Sequence, residues 1–194
     1  MCHALLRDAS FWRLLLRIDE DLAAQESAGG CRACGGVVHR ADYPRKARGA
    51  PRGALDEAYT RRLSFCCDRD GCRQRLTPSS VRFLGRRVFL GAVVVLATAL
   101  AQGLSERRRR ALCESVPVSL RTLERWRSWW QSTFVASATW AAIRARLASP
   151  VSAQELPRSL LARWRPADAS GALAQLLQVL APLSRSARSV MAVR

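Results

Sequence analysis

The sequence has few histidines and no long apolar run, and each shortage excludes a class of protein. The longest apolar run, Val88 to Ala101, has fourteen residues, fewer than the ~20 that a membrane-spanning helix needs. It is therefore predicted to be a buried core helix. His3 and His39 are the only histidines, so no convincing Ser-His-Asp set can be assembled. No glycine-rich, phosphate-binding loop precedes a predicted helix, which excludes a P-loop enzyme.

Carboxylates are also scarce in the second half of the chain. After Glu124 only Glu155 and Asp168 remain. A two-metal nuclease or strand-transfer site needs several carboxylates that converge on Mg²⁺. Five acidic residues of the first half are expected to be solvated, namely Asp19, Glu20, Asp21, Asp56 and Glu57. We therefore predict a protein without a catalytic site of its own.

Positive charge is abundant, at +17 over 194 residues. The excess is +9 over residues 31–90 (fourteen basic against five acidic) and +4 over residues 104–131 (seven against three). Lysine is nearly missing, since Lys46 is the only one among 32 basic residues. The arginine bias has two readings, bidentate contact with phosphate or guanine and a GC-rich genome. The total charge, in contrast, indicates a protein that binds a polyanion.

Two closely spaced pairs of cysteines are the most informative motif. Cys31 and Cys34 form the first pair, and Cys67 and Cys72 form the second. Two pairs of thiols with two to four residues between partners are typical of a structural zinc site, which takes two ligands from each of two tight turns. Gly35 and Gly36 follow the first pair and Gly71 precedes Cys72, as expected where a turn around a metal needs positive φ. The sequence therefore predicts Zn²⁺ held by these four cysteines.

Other interpretations of the cysteines stay open. Cys66 competes with Cys67 for the third ligand position, and His39 is a possible substitute ligand. A disulfide or a redox pair at Cys31 and Cys34 is the alternative to zinc. Seven cysteines is an odd number, and no secretory signal precedes them, so a reducing cytoplasm is the expected compartment.

The first half of the chain is predicted to contain one helix and short strands. Apolar residues recur at spacings of three and four from Phe11 to Gln25, with Ser10 as the N-cap. Short strands are expected at residues 37–38 and 63–65. Residues 43–53 (YPRKARGAPRG) are rich in Pro, Gly and Arg, which is typical of a mobile loop or arm. Its basic residues would follow a phosphate backbone or simply be solvated: Arg45, Lys46, Arg48 and Arg52.

The second half is predicted to be helical. A first helix is expected from about Arg86 to Gln102, a second after the cap Ser105, and a third after the cap Ser119. Pro117 lies in the short turn between the second and the third. Three helices joined in this way have the outline of a helix-turn-helix unit.

The third helix has the pattern of a DNA recognition helix. Leu123, Trp126 and Trp130 recur at i, i+3 and i+7, which predicts a buried stripe. The opposite side carries polar side chains that would reach base edges: Arg121, Thr122 and Arg125. The preceding helix carries four arginines that would lie over phosphates: Arg107, Arg108, Arg109 and Arg110. A plain amphipathic helix of a bundle is the alternative.

Residues beyond Phe134 are predicted to form three further helices, which pack as a small cap or a dimer face. The expected organisation is an N-terminal helix, a zinc ribbon with a basic insert, a helix-turn-helix, a helical segment and a disordered tail. The corresponding ranges are 1–30, 31–80, 81–134, 135–183 and 184–194.

Three motifs resemble the DNA-binding front end of insertion-sequence transposases and their associated proteins. They are CRACGG at residues 31–36, FCCDRDGCRQRLTP at 65–78 and VSLRTLERW at 118–126. The resemblance covers about half of the chain, from Cys31 to Gln131, and lacks the catalytic domain of that family. It implies a mainly α fold in which a zinc ribbon precedes a helix-turn-helix.

The expected function is that of a zinc-dependent, cytoplasmic protein that binds double-stranded DNA. It would be linked to a mobile element, with a transposase as a possible partner, and dimerisation is possible. The alternative is a non-catalytic adaptor, whose zinc ribbon and helices dock a protein or RNA partner.

Overall fold

The computed structural model describes residues 2–50, 55, 57–85, 88–164 and 169–185. Within these residues the fold is mainly α, as predicted. The α-helices are α1 (Cys2–Arg7), α2 (Ala9–Ala28), α3 (Glu57–Thr60), α4 (Gly91–Ala101), α5 (Glu106–Ser115), α6 (Leu120–Trp129), α7 (Ala138–Ala145), α8 (Arg158–Leu161) and α9 (Ala169–Leu180). Shorter turns are a π-helical one at Trp130–Phe134 and 3₁₀ turns at Ala153–Glu155 and Ala181–Ser184.

Two small antiparallel sheets lie between α2 and α4. The strands are β1 (Val38–Arg40), β2 (Tyr43–Pro44), β3 (Arg61–Arg62), β4 (Phe65–Cys67) and β5 (Arg75–Leu76). One sheet has the order β1-β4-β5, and β2 pairs with β3 in the other. In the first sheet Val38 lies opposite Cys67, so the residues just before β1 are brought beside the end of β4.

Helix α2 begins slightly earlier than the pattern predicts. Asp8, and not Ser10, is the N-cap: its carboxylate accepts a hydrogen bond of 2.8 Å from the backbone N–H of Ser10. The buried side of the helix carries Phe11, Leu15 and Ala23. The indole N–H of Trp12 donates a 2.9 Å hydrogen bond to the backbone carbonyl of Leu6, which holds α1 against α2.

Helix α4 is the core helix expected from the apolar run. All its residues from Gly91 to Thr98 are buried. It begins at Gly91 and not near Arg86, because Phe89 and Leu90 are extended and make β-bridges to Arg48 and Phe83. No helix within the described residues combines the length and the apolarity that crossing a membrane requires.

Helices α5 and α6 follow α4 and pack against it. Four residues, from Val116 to Ser119, join α5 to α6. The predicted stripe on α6 is confirmed, since Leu123, Trp126 and Trp130 are all at most 1 % exposed. Trp129 packs beside it, with its ring centroid 4.8 Å from that of Trp130.

The prediction of a mobile loop or arm is wrong for residues 43–50. These residues pack against the body of the protein. Strand β2 pairs with β3, and the backbone of Arg48 bonds to Val88 at 2.8 Å and to Leu90 at 3.0 Å. A Cβ on Gly49 would lie 2.8 Å from the side chain of Val93 in α4, so only glycine fits this close approach. Residues 51–53 lie outside the described part.

Asp19 is buried at 1 % exposure, which corrects the prediction of a solvated acid. Its carboxylate accepts hydrogen bonds from Arg82 Nε at 2.7 Å and from the backbone N–H of Val81 at 2.6 Å. The Ser80 hydroxyl donates to the same carboxylate. Arg82 is itself fully buried and donates to the carbonyl of Tyr59. This ion pair therefore joins α2 to the segment before α4.

The end of the described chain returns to the same region. Ser184, predicted to start a disordered tail, is buried and its hydroxyl accepts the backbone N–H of Ser80 at 2.7 Å. The buried Arg62 donates to the same hydroxyl at 3.4 Å. Arg185 makes an ion pair with Glu26 of α2. The C-terminal segment is thus ordered to at least residue 185, and residues 186–194 lie outside the described part.

Candidate metal centre

The four predicted cysteines come together in one cluster. The sulfurs of Cys31, Cys34, Cys67 and Cys72 all lie within 4.8 Å of one another. The Sγ atoms of Cys31 and Cys72 are 3.7 Å apart, and those of Cys34 and Cys67 are 3.5 Å apart. A tetrahedral ion with metal–sulfur bonds of about 2.3 Å places its sulfurs about 3.8 Å apart. The cluster could therefore hold one metal ion, and its size and ligand type are compatible with zinc.

The cysteines are supplied by two turns that the three-stranded sheet holds side by side. The first turn, residues 31–36, ends one residue before β1 and is closed by a 2.8 Å hydrogen bond from the backbone N–H of Cys31 to the carbonyl of Gly36. The second turn joins β4 to β5 and carries Cys67 at its start and Cys72 near its end. Pairing of β1 with β4 therefore brings the two pairs of thiols together.

Glycine is favoured at three positions of these turns, for two different reasons. Gly35 and Gly71 have φ of +69° and +80°, as the prediction of positive φ requires. Gly36 instead lies against the centre: a Cβ there would be 3.3 Å from the sulfurs of both Cys34 and Cys67. A side chain at residue 36 would therefore force these sulfurs to shift by a few tenths of an ångström, so the first turn favours glycine there.

Backbone N–H groups are directed at the sulfurs. Those of Ala33 and Cys34 lower the pKa of the Cys31 thiol to about 7. The backbone N–H of Arg69 lowers the pKa of Cys67, but burial and the neighbouring thiols outweigh it and raise that pKa to about 12. A metal cation competes with protons for the same sulfurs, so a bound divalent metal would displace the thiol protons.

The competing ligands lie outside the cluster. Cys66 directs its thiol to the backbone carbonyls of Cys67 and Arg73, 3.6 Å from each. His39 is exposed and its Nε2 lies 3.4 Å from the carboxylate of Asp68. Among the residues described, the choice of Cys67 over Cys66 as the third cysteine of the cluster is confirmed.

The arginines of α5 and α6 remain accessible. Arg107, Arg108 and Arg110 of α5 are exposed and Arg109 is half-buried; Arg110 pairs with Glu106 on its own helix. Arg121 and Arg125 of α6 are exposed on the side away from its buried stripe. The Thr122 hydroxyl accepts a 3.0 Å hydrogen bond from the hydroxyl of the N-cap Ser119, so Thr122 takes part in capping the N-terminus of α6.

The basic residues of the segment 43–53, which was predicted to be an arm, differ in their exposure. Arg45 is half-buried: it donates to the carbonyl of Gly85 at 2.9 Å and its guanidinium lies 5.3 Å from the centre of the Phe83 ring. Its guanidinium therefore takes part in packing, and its assignment to phosphate contact stays a prediction. Lys46 and Arg48 are exposed. Arg52 lies outside the described residues.

Glu26 is a residue of the centre's surroundings that the sequence analysis missed. It pairs with Arg32, inside the first cysteine turn, and also with Arg185 at the end of the described chain. Its position in the last turn of α2 was the available clue, because the helix is followed closely by the cysteine turn.

Comparison with protein-family models, with curated proteins and with solved structures finds no match to this chain.

Proposed function

We propose that this protein binds one zinc ion through Cys31, Cys34, Cys67 and Cys72 and uses the folded chain to bind double-stranded DNA. The observation that carries the proposal is the four-sulfur cluster, assembled from turns 33 residues apart in the chain. A set of four thiolates selects soft ions, and a closed tetrahedral site of this kind is typical of structural zinc. Zinc would fix the two turns and the sheet between them.

The DNA-binding part of the proposal is supported by α5, α6 and the charge. Three helices in mutual contact, a four-residue connection and an apolar back face on α6 are what a helix-turn-helix requires. Arg121 and Arg125 would reach base edges in the major groove. The arginines of α5 would neutralise phosphates as that helix crosses the backbone, and the formal charge of +17 favours encounter with DNA.

Selection from random duplexes, with zinc and with a chelator, tests this function. We expect a specific sequence to be enriched with zinc and lost with the chelator. The affinity for the selected duplex should fall steeply as salt rises, because counterions are released from each neutralised phosphate. No enrichment, or an affinity that does not respond to salt, contradicts DNA binding through these arginines.

Two substitutions separate base reading from phosphate contact. Arg121→Ala should cost about 1–3 kcal/mol for the selected site and relax preference at one base pair, because a bidentate contact is lost. Arg108→Ala should weaken binding to all sequences alike and reduce the salt slope by about 1. Arg144→Ala, an exposed change on α7, serves as the control. Equal losses from all three changes would show that only total charge matters.

We also propose a link to a mobile element. This link rests on the order of the motifs along the chain, in which the two cysteine turns precede the helix with the sequence VSLRTLERW. In such a role the protein would recognise element ends or regulate the element, without a catalytic site of its own. Binding to the DNA that flanks its gene tests this link. An adaptor function, in which the chain docks a protein or RNA partner, stays the alternative.

A further inference from the structure

The C-terminal helices form an open groove. It includes no residue of the four-cysteine cluster, of α5 or of α6. Its volume is about 980 Å³, and it lies between α7 and α9. Apolar side chains form most of its floor, namely Ile143 and Leu147 from the α7 region, Val179 of α9, and Trp164. Leu147, Trp164 and Val179 are only half-buried, so part of this apolar surface stays in contact with water.

The groove is also positively charged. Arg146 and Arg163 line it and are exposed, and no acidic residue is among its described lining. Over residues 132–194 the sequence has eight arginines against two acids. Arg146 and Arg163 form no ion pair with any residue that the structure describes. An occupant would therefore need apolar groups for the floor and negative charge for the rim.

We propose that this groove docks an amphipathic helix of a partner protein, with an apolar stripe flanked by Asp and Glu. Apolar anchors spaced along one helix face are the usual means by which a groove between helices binds a partner. A nucleic-acid backbone would leave Leu147, Trp164 and Val179 uncovered. A second copy of this chain, at +17, would be repelled by the same charge. The inference goes beyond DNA binding and does not depend on it.

Two synthetic helices test the proposal on the full-length, zinc-loaded protein. Both have about 18 residues, or five helical turns, with leucine at i, i+3, i+4 and i+7; one carries Glu and the other Lys elsewhere. Fluorescence anisotropy should show the Glu peptide binding at least about tenfold more tightly than the Lys peptide. Equal affinities, or no binding of the Glu peptide, would overturn the proposal.

Variants then place the peptide in the groove. Arg146→Glu, on the rim, should weaken the Glu peptide about tenfold or more. Arg144→Glu is the matched control: Arg144 is also exposed in the same region but does not line the groove, so the effect of this change should be clearly smaller. Ala142→Trp and Gln178→Trp, which fill the groove from exposed positions, should each abolish binding while the circular dichroism spectrum stays unchanged.

A competition experiment separates this site from a nucleic-acid site. A duplex of about 20 base pairs, added at a salt concentration that screens charges beyond ~8 Å, should leave the Glu peptide bound. Displacement of the peptide by DNA, or an equal effect of Arg144→Glu and Arg146→Glu, would overturn the proposal. Arg121→Ala, which tests DNA binding, should not change the peptide affinity, so the two proposals fail independently.

Discussion

Cys67→Ser should abolish stoichiometric zinc binding and unfold the sheet around the centre. Cys67 is fully buried and its sulfur lies 3.5 Å from that of Cys34, so it can serve a metal that the two turns share. The serine hydroxyl is not deprotonated at neutral pH, so the variant offers the metal only three thiolates. In small zinc domains the metal contributes about 10–16 kcal/mol, which is also the free energy that folds the site. Elemental analysis and hydrogen exchange of β1 and β4 measure the two effects.

Cys66→Ser is the matched control, because the neighbouring thiol is directed at backbone carbonyls and lies outside the cluster. This variant should keep one zinc per chain and wild-type exchange in β1 and β4. Zinc in the Cys67→Ser protein at wild-type stoichiometry would disprove the assignment. Wild-type protein that carries no metal and has a titratable Cys31–Cys34 disulfide would instead favour the redox interpretation of the cysteines.

The four-cysteine cluster could be located from the sequence because its geometry is encoded locally. Each pair of thiols lies within one turn, and the glycines of those turns are adjacent to the cysteines in the chain. The helices α5 and α6 were predicted for a similar reason, since Ser105 and Ser119 precede them and apolar residues recur on α6. Features that depend on a few neighbouring residues are therefore visible before the fold is known.

Features that depend on distant partners were missed. The composition of residues 43–50 is that of a loop, yet pairing with β3 and with Leu90 fixes these residues. The contact of the Arg45 guanidinium with the ring of Phe83 also depends on a residue far away in the chain. The groove between α7 and α9 likewise depends on how three short helices meet, which periodicity cannot specify.

Asp19 is an intermediate case, because half of the information was present in the sequence. Phe11, Leu15, Asp19 and Ala23 recur every four residues, so Asp19 lies on the buried side of α2. Its acidic neighbours Glu20 and Asp21 are exposed, and this local composition suggested a solvated face. The partner, Arg82, is 63 residues away in the chain, and no local pattern relates the two.

Asp19→Asn should be among the most destabilising single substitutions in this protein, with a loss of about 3–5 kcal/mol. Both side chains of the Asp19–Arg82 pair are fully buried, so the substitution leaves the guanidinium charge of Arg82 without its counter-ion in a site that excludes water. The amide keeps the shape of the carboxylate, which separates the effect of charge from that of packing. Urea unfolding of the zinc-loaded protein measures the loss.

Asp21→Asn, two residues further along α2 and exposed, is the control and should change stability by less than about 0.5 kcal/mol. A double change, Asp19→Leu with Arg82→Met, removes both charges and should recover much of the loss, because a buried pair can often be replaced by apolar groups. The carboxylate also accepts the backbone N–H of Val81, so recovery should be incomplete. If Asp19→Asn matched Asp21→Asn, the charge of the pair would contribute nothing to stability, and the junction between α2 and the segment before α4 would depend on apolar packing and on neutral hydrogen bonds such as that from Val81.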